Sequence, residues 1–294
     1  MAMHPAAEVS RGSVEVDGIQ CPLLQAGPPD ATEAVVFLHG NPGSSEDWRA
    51  AVGAAGAFAR AVAIDQPGFG QAGKPSDFDH TYTGHAEHLG RVLDKLGIER
   101  AHVVGHDLGG RWMLDWAAKN PDRFASAVIV AGGVLLDYRW HYLARIWRMP
   151  VIGELFMKVP SRRLFRLILR RGNPRGLPRE FVDRMYDDMN GPTRQAIIAL
   201  YRPTFDWNAR SYELSGELGK LDRPVLVIWG RHDPYIPMEQ AERQRETFPK
   251  AEISLFGRSG HWPFMDDPER FERTLVPFLR SVLAGCRGPG SGGR

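Results

Sequence analysis

The sequence predicts an α/β protein whose mostly parallel central sheet is flanked by helices and interrupted by one inserted helical cap. Three observations predict it: short, continuously apolar runs recur along the chain, amphipathic stretches separate them, and the alternation lapses for roughly 80 residues near the middle. Continuous rather than alternating apolarity is what a strand covered on both faces needs, and such strands belong to parallel sheets.

Taken in order, strands are expected at Ala34 to Leu38, Ala61 to Ile64, Ala101 to Val104, Ala127 to Ala131, Val225 to Trp229 and Ile253 to Phe256. Helical periodicity falls at His85 to Leu96, Leu108 to Lys119, Glu239 to Thr247 and Pro268 to Leu283. After Ala131 the alternation stops, and it resumes only at Pro224. The stretch between carries helical patterns punctuated by Gly172-Asn173-Pro174, Gly176-Leu177-Pro178 and Gly191-Pro192, which reads as a cap inserted between two strands. The expected division is a flexible N-terminus at 1–12, a core formed by 13–135 and 219–284, a cap at 136–218, and a tail at 285–294. That tail is rich in Gly, Pro and Ser and too poor in apolar side chains to order itself.

Composition narrows the function. Of 294 residues, 43% are hydrophobic and 24% charged, and 37 Lys and Arg against 35 Asp and Glu leave +2, too small a surplus to require nucleic acid as a partner. No apolar run reaches bilayer length, so no stable membrane association is expected. Met1 to Arg11 shows no apolar stretch behind a basic start, which points to a cytoplasmic protein. Cys21 and Cys286 lie near opposite ends without close Cys or His neighbours, the pattern of inert thiols rather than a metal site. One region departs from the neutral average: Arg139 to Arg184 holds twelve Lys or Arg against three acids, with Arg163, Arg166 and Arg170 along one stripe of an amphipathic segment. A basic amphipathic helix can lie on a membrane, receive an acidic carrier protein, or form a solvated arginine-rich face.

Four segments carry chemistry. Val103-Val104-Gly105-His106-Asp107-Leu108-Gly109-Gly110 joins a strand to a helix in the form Gly-x-nucleophile-x-Gly, where glycines allow a tight turn that lifts one side chain, here Asp107, out of the sheet. The following N–H, of Leu108, points at any oxyanion formed there. Leu38-His39-Gly40-Asn41-Pro42 closes the first long strand and offers the N–H of Asn41. Trp229-Gly230-Arg231-His232-Asp233-Pro234 offers an acid, Asp233, and Ser259-Gly260-His261-Trp262-Pro263 offers a histidine, His261.

With these motifs in this order the chain resembles the α/β-hydrolase family, and within it the branch with an aspartate nucleophile: epoxide hydrolases, haloalkane dehalogenases and fluoroacetate dehalogenases. The resemblance spans roughly Ala34 to Leu283. It implies an α/β-hydrolase fold, a triad of Asp107, Asp233 and His261, an oxyanion hole at Asn41 and Leu108, and neither metal nor cofactor. In this branch the acid is sometimes drawn from an earlier strand end, where this sequence has only Asp137.

A carboxylate with a reference pKa of about 3.9 is already ionised at neutral pH and attacks without a base. It suits displacement at saturated carbon, giving an alkyl-enzyme ester that water, activated by His261, then cleaves. An ordinary ester would instead give a mixed anhydride, which disfavours a carboxylesterase. Two leaving groups compete. In haloalkane dehalogenases the halide is held by donors that resemble the Asn41 side chain and a tryptophan after the nucleophile, but Leu108 occupies that place. In epoxide hydrolases two cap tyrosines donate to the ring oxygen; Leu200-Tyr201-Arg202 looks like the motif for one, and Tyr138 or Tyr142 is the candidate for the other. Arg111 matches one of two arginines that fluoroacetate dehalogenases use, with Leu108 where the first would stand. Trp48, Trp112, Trp140 and Trp262 read as core or pocket wall. The expected activity is epoxide opening to a diol on a small apolar organic substrate, the alternative is haloalkane dehalogenation, and the non-enzyme alternative is a ligand-binding receptor on the same scaffold.

Overall fold

A computed structural model describes residues 5–158, 161–171, 173–202 and 207–286. Among the described residues eight strands form one sheet: β1 (Ser10–Val16), β2 (Ile19–Ala26), β3 (Glu33–Leu38), β4 (Arg60–Ile64), β5 (Arg100–His106), β6 (Phe124–Val130), β7 (Val225–Gly230) and β8 (Glu252–Phe256). Their spatial order is β1-β2-β4-β3-β5-β6-β7-β8. All pairings from β4 through β8 are parallel, and only β1 with β2 and β2 with β4 are antiparallel. Every residue of β4, β6 and β7 is buried, as the apolar runs require.

Helices α1 (Arg49–Gly56), α2 (Tyr82–Lys95) and α3 (Leu108–Lys119) interleave with the first parallel strands. Six more follow β6: α4 (Tyr142–Arg148), α5 (Ile152–Lys158), α6 (Arg162–Arg171), α7 (Arg179–Asp188), α8 (Gly191–Tyr201) and α9 (Trp207–Leu218). They form the inserted helical cap. The chain ends through α10 (Glu239–Thr247), α11 (Pro263–Asp266) and α12 (Pro268–Cys286).

Two expectations at the termini are corrected. The flexible segment 1–12 overlaps β1, which pairs with β2 from Ser10 opposite Gln25 to Val16 opposite Ile19. Asp17 (φ 53°) and Gly18 (φ 74°) both take positive φ, so the Asp-Gly pair forms the tight turn that joins the two strands and fixes their register. At the other end α12 runs through Gly285 to Cys286, so the helix enters the expected tail, whose remaining residues 287–294 lie outside the described ones.

Cap and core are tied by polar links across their boundary. Asp47, in the turn before α1, pairs with Arg184 of α7, and Gln71 Nε2 donates to Asp188 Oδ1 at 2.6 Å. Burial pushes the Asp47 carboxyl up to about 7 against the pull of Arg184. At the other flank Arg210 of α9 reaches Asp115 of α3 at 3.0 Å. Among the described residues no helix is long and apolar enough to cross a membrane. Cys21 is buried, and burial pushes its thiol up to about 12, which leaves it inert at neutral pH; the Cys286 side chain lies outside the described residues.

Candidate active site

The C-terminal ends of β3, β5, β7 and β8 deliver one loop each to a common point, the place where parallel α/β sheets hold their sites. Asp107 sits between β5 and α3 with φ 50° and ψ −122°, a conformation that costs a non-glycine residue on the order of 1–3 kcal/mol. Neighbouring glycines leave room for it. A Cβ on Gly132 would stand 2.3 Å from the Asp107 carbonyl oxygen, and one on Gly109 would stand 2.4 Å from the His39 carbonyl oxygen. Those contacts explain small residues at both places.

The Asp107 carboxylate receives backbone N–H groups from Asn41, at 2.9 Å on Oδ2, and from Leu108. Asn41 is held there by a buried histidine below it. His39 donates Nδ1–H to Gly40 O at 2.9 Å and accepts Gln66 N–H on Nε2 at 3.0 Å. Burial raises the Asp107 pKa above the ordinary value, against the His261 charge and the two N–H donors.

His261 follows β8, and its Nδ1 lies 2.7 Å from Asp233 Oδ2. The other oxygen of Asp233 accepts the N–H groups of Tyr235 and Ile236 at 2.8 and 3.0 Å, so this carboxylate is fixed on both sides. His261 Nε2 lies 3.9 Å from Asp107 Oδ1. Burial alone would lower the His261 pKa, but the Asp233 charge and hydrogen bond, with the Asp107 charge, raise it. His106 supports the loop from beneath, donating Nε2–H to the His261 carbonyl at 2.9 Å. The Asp137 carboxylate is exposed and bound to Arg243 and Tyr212, and among the described residues it makes no hydrogen bond or ion pair with His261.

A cavity of about 60 Å³ opens above Asp107, room for a handful of waters. Its walls are apolar side chains of the cap, among them Trp147, Phe156, Phe165 and Ile168, and among the described residues no Lys or Arg lines it. The polar groups are Asn41, Asp107, His141, Tyr201, Tyr235 and His261.

The residues read from the sequence divide here. Asp107, Asn41, His261 and Tyr201 line the cavity, and Asp233 and Leu108 stand directly behind. Tyr201, at the end of α8, is buried, and its hydroxyl accepts Asn41 Nδ2–H at 3.5 Å. Burial and the Asp107 charge hold the phenol well above its ordinary pKa, so it stays protonated. The other two tyrosines do not line this cavity, although Tyr138 borders the smaller space beside it that also reaches Asp107, His141 and Tyr201. Tyr138 donates its hydroxyl to Tyr235 O at 3.0 Å and accepts His141 N–H at 3.3 Å, which fixes it in the scaffold. Tyr142 is 52% exposed, because it opens the outward face of α4. Arg111 is buried between the rings of Tyr82 and Trp207 and bonded to Asp115 and Ser211. Trp48 and Trp112 are core, Trp140 packs on Tyr201, and Trp262 lines the cavity.

Sequence reading missed His141 and Tyr235. The first is the N-cap of α4: Nδ1 accepts Ala144 N–H at 3.2 Å, so the neutral ring carries its proton on Nε2. Burial and the His261 charge push His141 down to about 3, keeping it neutral. Its signal was a polar residue just before an apolar helical run, and that of Tyr235 its place after the Asp233-Pro234 turn. Among the described residues no group of three or more His, Cys, Asp or Glu could hold a metal ion.

Known proteins share this architecture. The 2-hydroxy-6-oxononadienedioate/2-hydroxy-6-oxononatrienedioate hydrolase of Burkholderia vietnamiensis is 28% identical over 287 residues, 91% of this chain and 94% of its own. The haloalkane dehalogenase DatA from Agrobacterium tumefaciens superposes with a TM-score of 0.81 at 24% identity, over 93% of this chain and 97% of that one. The meta-cleavage product hydrolase CumD from Pseudomonas fluorescens does so with 0.76 at 22% identity, over 92% and 98%. At these identities the superpositions speak for the fold alone. A family model described as alpha/beta hydrolase fold matches residues 33–268, the span that holds the parallel strands, the elbow and the histidine loop, and the chain therefore belongs to the α/β-hydrolase family.

Proposed function

We propose that this hydrolase opens an epoxide to a diol through a covalent ester on Asp107. The observation that carries the reading is the carboxylate itself: an ionisable Asp107 stands at the strained elbow, its Oδ2 under the Asn41 N–H and its Oδ1 unobstructed by His261. Oδ1 attacks a ring carbon, and the C–O bond breaks as the oxygen takes a proton from Tyr201. His261, oriented by Asp233, then removes a proton from water, and the hydroxide adds to the Asp107 carbonyl carbon. The N–H groups of Asn41 and Leu108 stabilise the tetrahedral oxyanion; its collapse expels the alkoxide, which takes the proton held by His261 to give the diol, and the Asp107 carboxyl returns its proton to the Tyr201 phenolate.

The second donor to the epoxide oxygen is His141 rather than Tyr138. Its protonated Nε2 is on a cavity-lining ring, whereas the Tyr138 hydroxyl is engaged with backbone. Among the described residues no cation lines this cavity, and Arg111, which borders the small space beside it, is already bonded to Asp115 and Ser211, so a dicarboxylate such as the one named for the Burkholderia relative is a poorer fit than an uncharged substrate.

Haloalkane dehalogenation keeps one observation in its favour. The Asn41 side chain lines the cavity above Asp107, and its Nδ2 is a donor of the kind that holds a departing halide. Single turnover in oxygen-18 water tests the ester. Label is expected in Asp107, because water attacks the enzyme's own carbonyl, and label found only in product would exclude the covalent route.

A further inference from the structure

Eight large hydrophobic side chains are exposed among the described residues, and seven of them fall between Tyr142 and Leu167. That concentration is not the scattered exposure ordinary for a monomer surface. Helices α4, α5 and α6 each turn one side to the cavity, through Trp147, Phe156 and Phe165 among others. Their opposite sides carry Ile152, Leu155, Leu164 and Leu167 into solvent, with Met149 and Val151 in the link between α4 and α5.

The charge on this face has one sign. From Arg139 to Arg171 the sequence has nine Lys or Arg and a single acid, Glu154, which is paired with Arg202 at 2.6 Å. Arg145, Lys158, Arg163 and Arg170 are exposed on the three helices, and none forms an ion pair with a carboxylate among the described residues. Exposed aliphatic side chains interleaved with unneutralised cations fit the boundary between lipid headgroups and acyl chains, where apolar groups enter and cations meet phosphate.

We propose that the outward face of α4, α5 and α6 docks reversibly on an anionic lipid bilayer as a peripheral surface, with the cavity opening behind it. None of the outward residues lines the cavity, so docking is separable from the reaction at Asp107.

Co-sedimentation of the full chain with vesicles of phosphatidylglycerol and phosphatidylcholine in equal parts, and with phosphatidylcholine alone, tests this. Binding is expected on the anionic vesicles, weak on the neutral ones, and reduced when added salt screens the charges. Replacing both Arg163→Gln and Arg170→Gln should lower partitioning about thirtyfold, from the attraction of roughly 1 kcal/mol per cation at such a surface. The pair Leu164→Ser and Leu167→Ser should also lower it, with thermal melting and turnover of a water-soluble substrate retained. In the unaltered chain, added anionic vesicles should slow amide hydrogen exchange in α5 and α6. Absence of binding, equal binding to both vesicle types, or indifference to both pairs of substitutions would overturn the proposal. So would self-association in sedimentation velocity that the leucine substitutions abolish, since the face would then be covered by a second copy of the chain.

Discussion

His261 Nε2 stands 3.9 Å from Asp107 Oδ1, too far for a hydrogen bond, while its Nδ1 holds Asp233 Oδ2 at 2.7 Å. The imidazole is therefore bound to its acid and set apart from the carboxylate on the other side. A base that had to deprotonate Asp107 would need contact with it. One that deprotonates a water attacking Asp107 needs the interval instead.

Replacing His261→Gln should therefore leave alkylation of Asp107 intact and block hydrolysis of the ester. Intact-mass measurement after mixing with a turned-over epoxide should show an adduct of substrate mass accumulating. An unmodified mass with every such substrate would assign His261 to the first step instead.

The two steps should differ in pH dependence. Burial raises the Asp107 pKa, so alkylation should fall on acidification at a pH above the ordinary carboxylate range. Ester formation removes the Asp107 charge, one of the causes that raise the His261 pKa, so the histidine becomes easier to deprotonate when it must act as base. Rapid-quench rates should show ester hydrolysis rising with pH to a plateau as His261 loses its proton. A hydrolysis rate flat from about pH 5 to 9 would contradict the role.

The leaving-group readings separate by substitution. Tyr201→Phe should slow alkylation by an epoxide on the order of 100-fold or more, the usual contribution of a placed general acid. His141→Ser keeps a capping oxygen for α4 and removes the Nε2 donor, so it should slow the same step with little loss of stability. Neither should matter much on a bromoalkane, where Asn41→Ala should suppress halide release. An epoxide reaction unaffected by Tyr201→Phe would favour the dehalogenase.

Acid should unfold the core through histidines unrelated to catalysis. Burial pushes His80 and His88 down to about 4 and His85 well below its ordinary value. The unfolded chain takes up these protons near pH 6.5, whereas folded His80 and His88 do so only near 4 and His85 only well below its ordinary value, so stability is full above about 6.5 and declines as pH falls below it. By pH 5 His80 and His88 each cost on the order of 1–2 kcal/mol. His85 stacks on Trp112 at 4.2 Å with both ring nitrogens lacking hydrogen bonds among the described residues, so His85→Phe should flatten the decline while sparing stability at pH 7. Urea midpoints between pH 7.5 and 5 would reveal it, and an unchanged slope would remove His85 from the account.

The parallel strands and the elbow were legible because their signals are local. Apolar runs such as Val225 to Trp229 are continuous since both faces of the sheet are covered, and helix α3 keeps the bounds, Leu108–Lys119, that its periodicity gave. β1 and β2 were not legible this way, because antiparallel strands at a sheet edge bury only part of their residues; the Asp17-Gly18 turn was the signal that could have located them.

By itself the sequence determined the fold class and the residue types at the loop ends, since glycines around Asp107 and an acid and a histidine after later strands depend on chain order alone. Which cap side chains face Asp107 was decided only by the tertiary structure. Tyr138, His141, Tyr142 and Tyr201 are all polar aromatic residues of one helical region, and nothing local tells a hydroxyl engaged by Tyr235 O from one beside Asn41. A residue's role in a cap depends on how the helices pack over the sheet. That packing is set by contacts such as Arg184 with Asp47 and Arg210 with Asp115, whose partners lie 137 and 95 positions apart in the chain.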